Sequence, residues 1–166
     1  MIIVVMGVSG AGKTTIGRLL AERLGCEFVE GDGLHPAANI AKMSAGVPLT
    51  DADRAPWLAA VRARIAAAEH TGLNLVIACS ALKQQYRDTL AGGGVHDPLV
   101  WVYLKGSPAM LHARLEARHG HFMKAGMLDS QIATLEPPAD AIVADAAEPP
   151  DRIVADVLAA LPGGGA

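Results

Sequence analysis

Short runs rich in apolar and β-branched residues recur at Ile2–Met6, Glu27–Glu30, Leu73–Ala78, Leu99–Leu104 and Ala141–Ala144, and each is followed by a stretch patterned for helix. This alternation predicts parallel strands joined by helical crossovers. In the first, third and fourth runs the hydrophobicity is continuous rather than alternating, so both faces of those strands must be covered. The expected fold is α/β, with three layers in the order α/β/α. The run from Ile16 to Leu24 reads as the first helix. Residues 33–71 separate two strands by far more than the dozen or so residues a crossover needs, so they house something extra. In their second half Thr50 and Asp53 have the spacing of a capping box, and Trp57, Leu58, Val61 and Ile65 fall on one face of the helix that follows. Residues 119–126 place glycines, histidines and a lysine between helical stretches and read as a short lid, hinged at Gly120 and Gly126.

The chain has 166 residues, close to the roughly 150 of one ordinary domain, and no repeat or low-complexity linker divides it. A single domain over 1–166 is expected. With 51% hydrophobic and 19% charged residues it is too apolar for disorder. Its longest apolar runs nevertheless fall far short of the roughly 18 residues a membrane helix requires. A net charge of −3 gives no general attraction to polyanions, which argues against nucleic acid as a partner. Cys26 and Cys79 match neither a disulfide framework nor a metal spacing and read as buried thiols in a reducing compartment. Met1 leads directly into strand-like residues without a leader pattern, so a cytoplasmic location is expected.

Gly7-Val8-Ser9-Gly10-Ala11-Gly12-Lys13-Thr14 matches G-x-x-x-x-G-K-[ST] at every fixed position, directly after a strand and before a helix. Glycines let such a loop wrap with its amide hydrogens inward, and the helix adds the positive end of its dipole. Lys13 is expected to reach the outer phosphates and Thr14 to ligate Mg²⁺; Ser9, Gly10, Ala11 and Thr15 complete the nucleotide cradle. No D-x-x-G or N-K-x-D motif follows, so a GTPase switch is set aside, leaving a small phosphotransferase whose acceptor lies beside the γ-phosphate.

Asp32, between Gly31 and Gly33, stands at the carboxyl end of the second strand, where ligands of parallel sheets gather. It is placed to orient or deprotonate an attacking hydroxyl and to meet magnesium through water, since the third strand ends in Val76-Ile77-Ala78-Cys79-Ser80 without a carboxylate. Arg114 and Arg118, four apart on one helix, suit a base or phosphates. Lys83 and Arg87, also four apart, and the polar set His35, Asn39, Lys42, Asp53 and Arg54 are candidates for gripping a hydroxylated or anionic acceptor. Taken alone, these residues leave open a shikimate, nucleoside monophosphate or sugar-acid kinase, a regulatory nucleotide-binding module and, against the charge balance, an RNA-binding ATPase.

Together with the phosphate loop, three further segments make the chain resemble the small P-loop gluconate kinases, related to shikimate and adenylate kinases. They are Gly31-Asp32-Gly33-Leu34-His35-Pro36 with Asn39, Lys42 and Met43; Pro48-Leu49-Thr50-Asp51-Ala52-Asp53-Arg54-Ala55-Pro56-Trp57-Leu58; and Cys79-Ser80-Ala81-Leu82-Lys83 with Tyr86 and Arg87. The resemblance continues at Arg114-Leu115-Glu116-Ala117-Arg118-His119-Gly120-His121-Phe122. It implies a five-stranded parallel sheet in the order 2-3-1-4-5 and ATP-dependent phosphorylation of D-gluconate at its terminal hydroxyl. It also implies that His35, Arg54, Lys83 and Arg87 line the acceptor pocket, that Asp32 faces the hydroxyl, that Arg114 and Arg118 attend the nucleotide, and that the protein is a cytoplasmic homodimer using Mg²⁺.

Overall fold

A computed structural model describes residues 1–93, 99–117 and 125–162. Their elements run β1 (Ile2–Met6), α1 (Lys13–Leu24), β2 (Glu27–Glu30), a 3₁₀ turn (Gly31–Leu34), α2 (Ala37–Ser44), α3 (Asp51–Thr71), β3 (Leu75–Ala78), α4 (Gln84–Ala91), β4 (Val100–Lys105), α5 (Pro108–Glu116), α6 (Ala125–Thr134), β5 (Ile142–Asp145) and α7 (Pro150–Ala160). The strands form one parallel sheet in the order β2-β3-β1-β4-β5, as the resemblance implied.

β1 explains why a strand can be apolar at every position. Ile3 and Val5 face one layer with Ile16 and Leu20 of α1, Leu111 of α5, and Val154 and Val157 of α7. Ile2, Val4 and Met6 face the other, with Trp57, Val61 and Ile65 of α3 and Leu90 of α4. Because successive side chains alternate across a strand, five consecutive apolar residues feed two cores at once. Among the described residues no helix is long and apolar enough to cross a membrane.

Boundaries move by one to three residues from the sequence expectation, each for a local reason. β3 begins at Leu75, where pairing with Ile2 starts; Leu73, by contrast, is 65% exposed and follows the left-handed Gly72 that ends α3. β4 and β5 each start one residue later than expected, in a register that pairs Val102 with Ile142 and Lys105 with Asp145. α1 starts at Lys13 rather than Ile16 because Gly12, at φ 98°, turns the phosphate loop straight into the helix.

The stretch 33–71 contains α2 and the long α3. Thr50 caps α3 as its spacing predicted: the Asp53 N–H donates to Thr50 Oγ1 at 3.1 Å and the Thr50 N–H donates to the Asp53 carboxylate at 2.8 Å. Lys42 of α2 also donates to Asp53, at 2.7 Å, and Asn39 Nδ2 donates to the Asp53 carbonyl at 2.7 Å. One aspartate therefore caps α3 and ties α2 to it.

The connection from β2 into the 3₁₀ turn passes so close to β3 that a Cβ on Gly31 would lie 2.3 Å from the Ala78 carbonyl oxygen. The fully buried Trp57 fixes the same residue from the other side, its indole N–H donating to the Gly31 carbonyl at 2.8 Å. Gly31→Ala is expected to cost about 1–3 kcal/mol through overpacking, read as a shift in urea midpoint without a change in slope. Asp53 is held at about 2, first by Lys42 and then by Thr50, below its ordinary 3.8. Asp51 is held at about 2 by Tyr86 and then Lys83. The unfolded chain thus binds more protons than the folded one between about pH 4 and pH 2. This stabilisation is present above that window and is lost as the pH falls through it. Asp53→Asn is expected to flatten the fall of melting temperature across that range.

Candidate active site

The carboxyl ends of β1, β2 and β3 converge on one cavity, as expected for a parallel sheet whose order reverses there. Ser9 and Lys13 of the phosphate loop form one wall. Asp32 and His35, which follow β2, and Arg54 and Trp57 of α3 form the opposite side. Ser80 and Leu82, just beyond β3, contribute the floor. A wider open groove at the amino ends of β2 and β3, around Cys26, Arg64 and Leu73, contains none of these groups.

Each wall is held from behind. The His35 ring stacks on Trp57, with centroids 4.3 Å apart and planes at 12°, and lies 3.2 Å from the Asn39 amide. Burial pulls its pKa below 6.5, outweighing the opposing pull of Asp32, so His35 is neutral at pH 7. Arg54 donates to the Leu49 carbonyl and lies with its guanidinium carbon 5.6 Å from the centre of the Tyr86 ring. Behind it the Tyr86 hydroxyl donates to Asp51, which also accepts from Lys83 at 2.9 Å. Cys79, fully buried beside this floor, has its thiol pushed up to about 12, chiefly by burial, and is inert as a nucleophile.

Not all the expected acceptor residues meet in the cavity. Lys83 and Arg87, expected to line it, stand outside. Lys83 pairs with Asp51 as just described. Arg87, only 3% exposed, donates to the carbonyls of Ala81 at 3.0 Å and Leu82 at 3.2 Å and to Gln84 Oε1 at 2.8 Å. Ala81 has φ 43°, a conformation disfavoured outside glycine. Arg87 therefore pins the strained turn that carries Ser80 and Leu82. Its helical spacing from Lys83 was visible in the sequence; that its guanidinium turns inward to backbone carbonyls was not.

On the far side of the phosphate loop a second concavity is lined by Gly10, Ala11, Gly12 and Thr15 together with Arg114. Arg114 donates to the Ala146 carbonyl at 2.7 Å, leaving its guanidinium beside the loop, 3.5 Å from the Gly10 carbonyl. Arg118 and most of the expected lid fall within residues 118–124, outside the described residues.

Three residues of the site were missed in the sequence. Glu30, the last residue of β2, accepts from Thr14 Oγ1 at 2.6 Å. It puts a carboxylate against the phosphate loop from the end of β2, but looks in sequence like a strand terminus. The Thr14 hydroxyl and the carboxylate it meets are hard oxygen donors of the kind magnesium prefers, so these two residues fit that ion. From α6, Met127 and Gln131 close the cavity, and Met127 packs with Met43 and Leu49 in a separate apolar cluster. Nothing in the spacing of α6 signals that contact, because it is made across the chain.

Residues 2–138 match a protein family described as an AAA domain. The chain is 53% identical over 138 residues to the gluconokinase of Gluconobacter oxydans, covering 83% of this chain and 76% of that protein. It is 43% identical over 161 residues to the thermoresistant gluconokinase of Escherichia coli, covering 95% and 91%. The crystal structure of a gluconokinase from Sinorhizobium meliloti superposes with a TM-score of 0.84 at 47% identity, covering 95% of this chain and 89% of that one. The phosphate loop and the whole 33–71 region lie inside the matched family span, and the chain belongs to the gluconokinase family.

Proposed function

We propose that the protein transfers the γ-phosphoryl group of ATP to the terminal hydroxyl of D-gluconate, giving 6-phospho-D-gluconate. One observation carries this reading: Lys13 and Ser9 of a phosphate loop share a single cavity with Asp32, His35 and Arg54. Among the described residues, donors suited to phosphate and groups suited to a polyhydroxy acid thus line one cavity together. The identity to gluconokinases across these same segments supports gluconate as the acid.

The loop amides and the amino end of α1 hold the triphosphate, with Lys13 reaching its outer oxygens. Lys13 Nζ rests on the Val8 carbonyl at 3.2 Å, a neutral acceptor that a phosphate oxygen replaces with gain of charge pairing. Arg114 attends the nucleotide from the second concavity, and Arg118 is assigned there by resemblance. Thr14 and Glu30 would hold magnesium, with Asp32 contributing through water, and the ion would there supply neutralisation of phosphate charge.

Arg54, fixed by Leu49 and Tyr86, takes the gluconate carboxylate. Neutral His35 offers one ring nitrogen as donor and one as acceptor to chain hydroxyls. Asp32 accepts the hydrogen of the attacking hydroxyl and aligns it in line with the leaving oxygen. Lys83 acts at one remove: it and Tyr86 hold Asp51, and Tyr86 in turn supports Arg54. We further propose that the whole chain works as one kinase unit with residues 33–71 as its acceptor side, and as a cytoplasmic homodimer.

Purified protein given MgATP and D-gluconate is expected to form 6-phosphogluconate, followed by its coupled oxidation. ADP release driven equally by shikimate, nucleoside monophosphates or other sugar acids would overturn the acceptor assignment. Asp32→Asn should lower kcat by about a hundredfold or more with little change in KM for ATP. Arg54→Ala should instead raise KM for gluconate by about tenfold or more, with a smaller effect on kcat. The split between the two variants separates hydroxyl alignment from carboxylate binding.

A further inference from the structure

Ser9 stands at the junction of the two concavities. It lines the cavity that holds Asp32, His35 and Arg54, whereas Gly10, Ala11 and Gly12, the next residues of the loop, line the groove beside Arg114. A phosphoryl group passing from nucleotide to acceptor crosses at this residue. The Ser9 main-chain N–H is already engaged there: it donates to Oε1 of Gln131 at 2.7 Å. Gln131 belongs to α6 and reaches the loop from 122 positions away.

The fold presents this side chain firmly. Leu128, three residues earlier on α6, is fully buried in the larger core, and Met127, four residues earlier, is 4% exposed and packs on Met43 and Leu49. Residues at these spacings share one helical face, so the face that anchors α6 also carries Gln131 into the cavity. Its oxygen takes from Ser9 the kind of hydrogen bond a phosphate oxygen would take. A carboxamide carries an acceptor and a donor on one planar group, so a half-turn exchanges one for the other without any proton transfer.

The geometry points to Gln131 as a residue that faces the transferring phosphoryl group and stands in for it when the loop is empty. Its oxygen holds the Ser9 N–H until an oxygen of the terminal phosphate replaces it, and its NH₂ then donates to that phosphate during transfer. This rests on the phosphotransfer reading above and adds to it a contact that the third phosphate gains only while it is being transferred.

The test compares binding of ADP with binding of a non-hydrolysable ATP analogue, both with Mg²⁺, by calorimetry. In Gln131→Glu a carboxylate faces the terminal phosphate. The analogue is expected to lose about tenfold or more in affinity while ADP stays within about twofold, because like charges brought together in a partly dry site repel strongly. Equal losses for the two nucleotides, or no loss for either, would overturn the assignment. Gln131→Ala guards against a misfolded first variant. It should bind the analogue at least as tightly as the parent, since no internal group competes for Ser9, yet its kcat with gluconate should fall about tenfold, the scale of one charge-assisted hydrogen bond. An unchanged kcat would also overturn the proposal. A parent protein that binds both nucleotides and shows the selective loss in Gln131→Glu, but never turns over gluconate, would support Gln131 and refute the acceptor assignment instead.

Discussion

β1 is hydrogen-bonded along both edges, to β3 and β4, and buried on both faces by two separate cores. A strand fixed in four directions leaves its exit loop little freedom, so the phosphate loop emerges at a defined point and runs into α1, whose first residue is Lys13. The positions of the loop amides, the lysine and the amino end of the helix all follow from the burial of Ile2–Met6. Apolar burial of that strand is therefore the physical origin of a polar, anion-seeking site.

The side of the cavity that carries Asp32, His35 and Arg54 depends on a different knot. Trp57 donates to the Gly31 carbonyl, stacks beneath His35, and belongs to the same face of α3 that enters the core. One indole thus sets the distance between the turn bearing Asp32 and the helix bearing Arg54. The Thr50–Asp53 cap and the Lys42–Asp53 pair then fasten α2 to the head of α3. The two sides of the cavity are fixed by separate elements, and Ser9 and Gln131 are joined at its edge by a hydrogen bond.

The parts legible in the sequence are those governed by local chemistry. The glycine spacing of the loop, the Thr50–Asp53 reciprocity and the α3 face of Trp57, Leu58, Val61 and Ile65 depend on residues a few positions apart, and each is present. Sheet order came through resemblance rather than periodicity, because nothing local in a strand names its neighbours. Arg87 shows the limit from the other side: at its spacing from Lys83 it reads as a grip for an anionic acceptor, yet it is consumed by the carbonyls of Ala81 and Leu82. Glu30 and Gln131 were illegible for the same reason. Their roles arise from contacts with Thr14 and Ser9, partners that tertiary structure alone brings near.

The cluster of Met43, Leu49 and Met127 joins the acceptor region to α6 beside the cavity. Bulk solvent is a nucleophile present in great excess over any sugar acid, and a kinase open to it would squander ATP by futile hydrolysis. An apolar seam of two thioethers and one leucine is poorly wetted by that competitor. Because methionine is unbranched and readily changes shape, such a gasket can part for an incoming acceptor and reseal around chains of slightly different length. A cluster so placed would favour an acceptor over water without any of its side chains touching the reacting atoms.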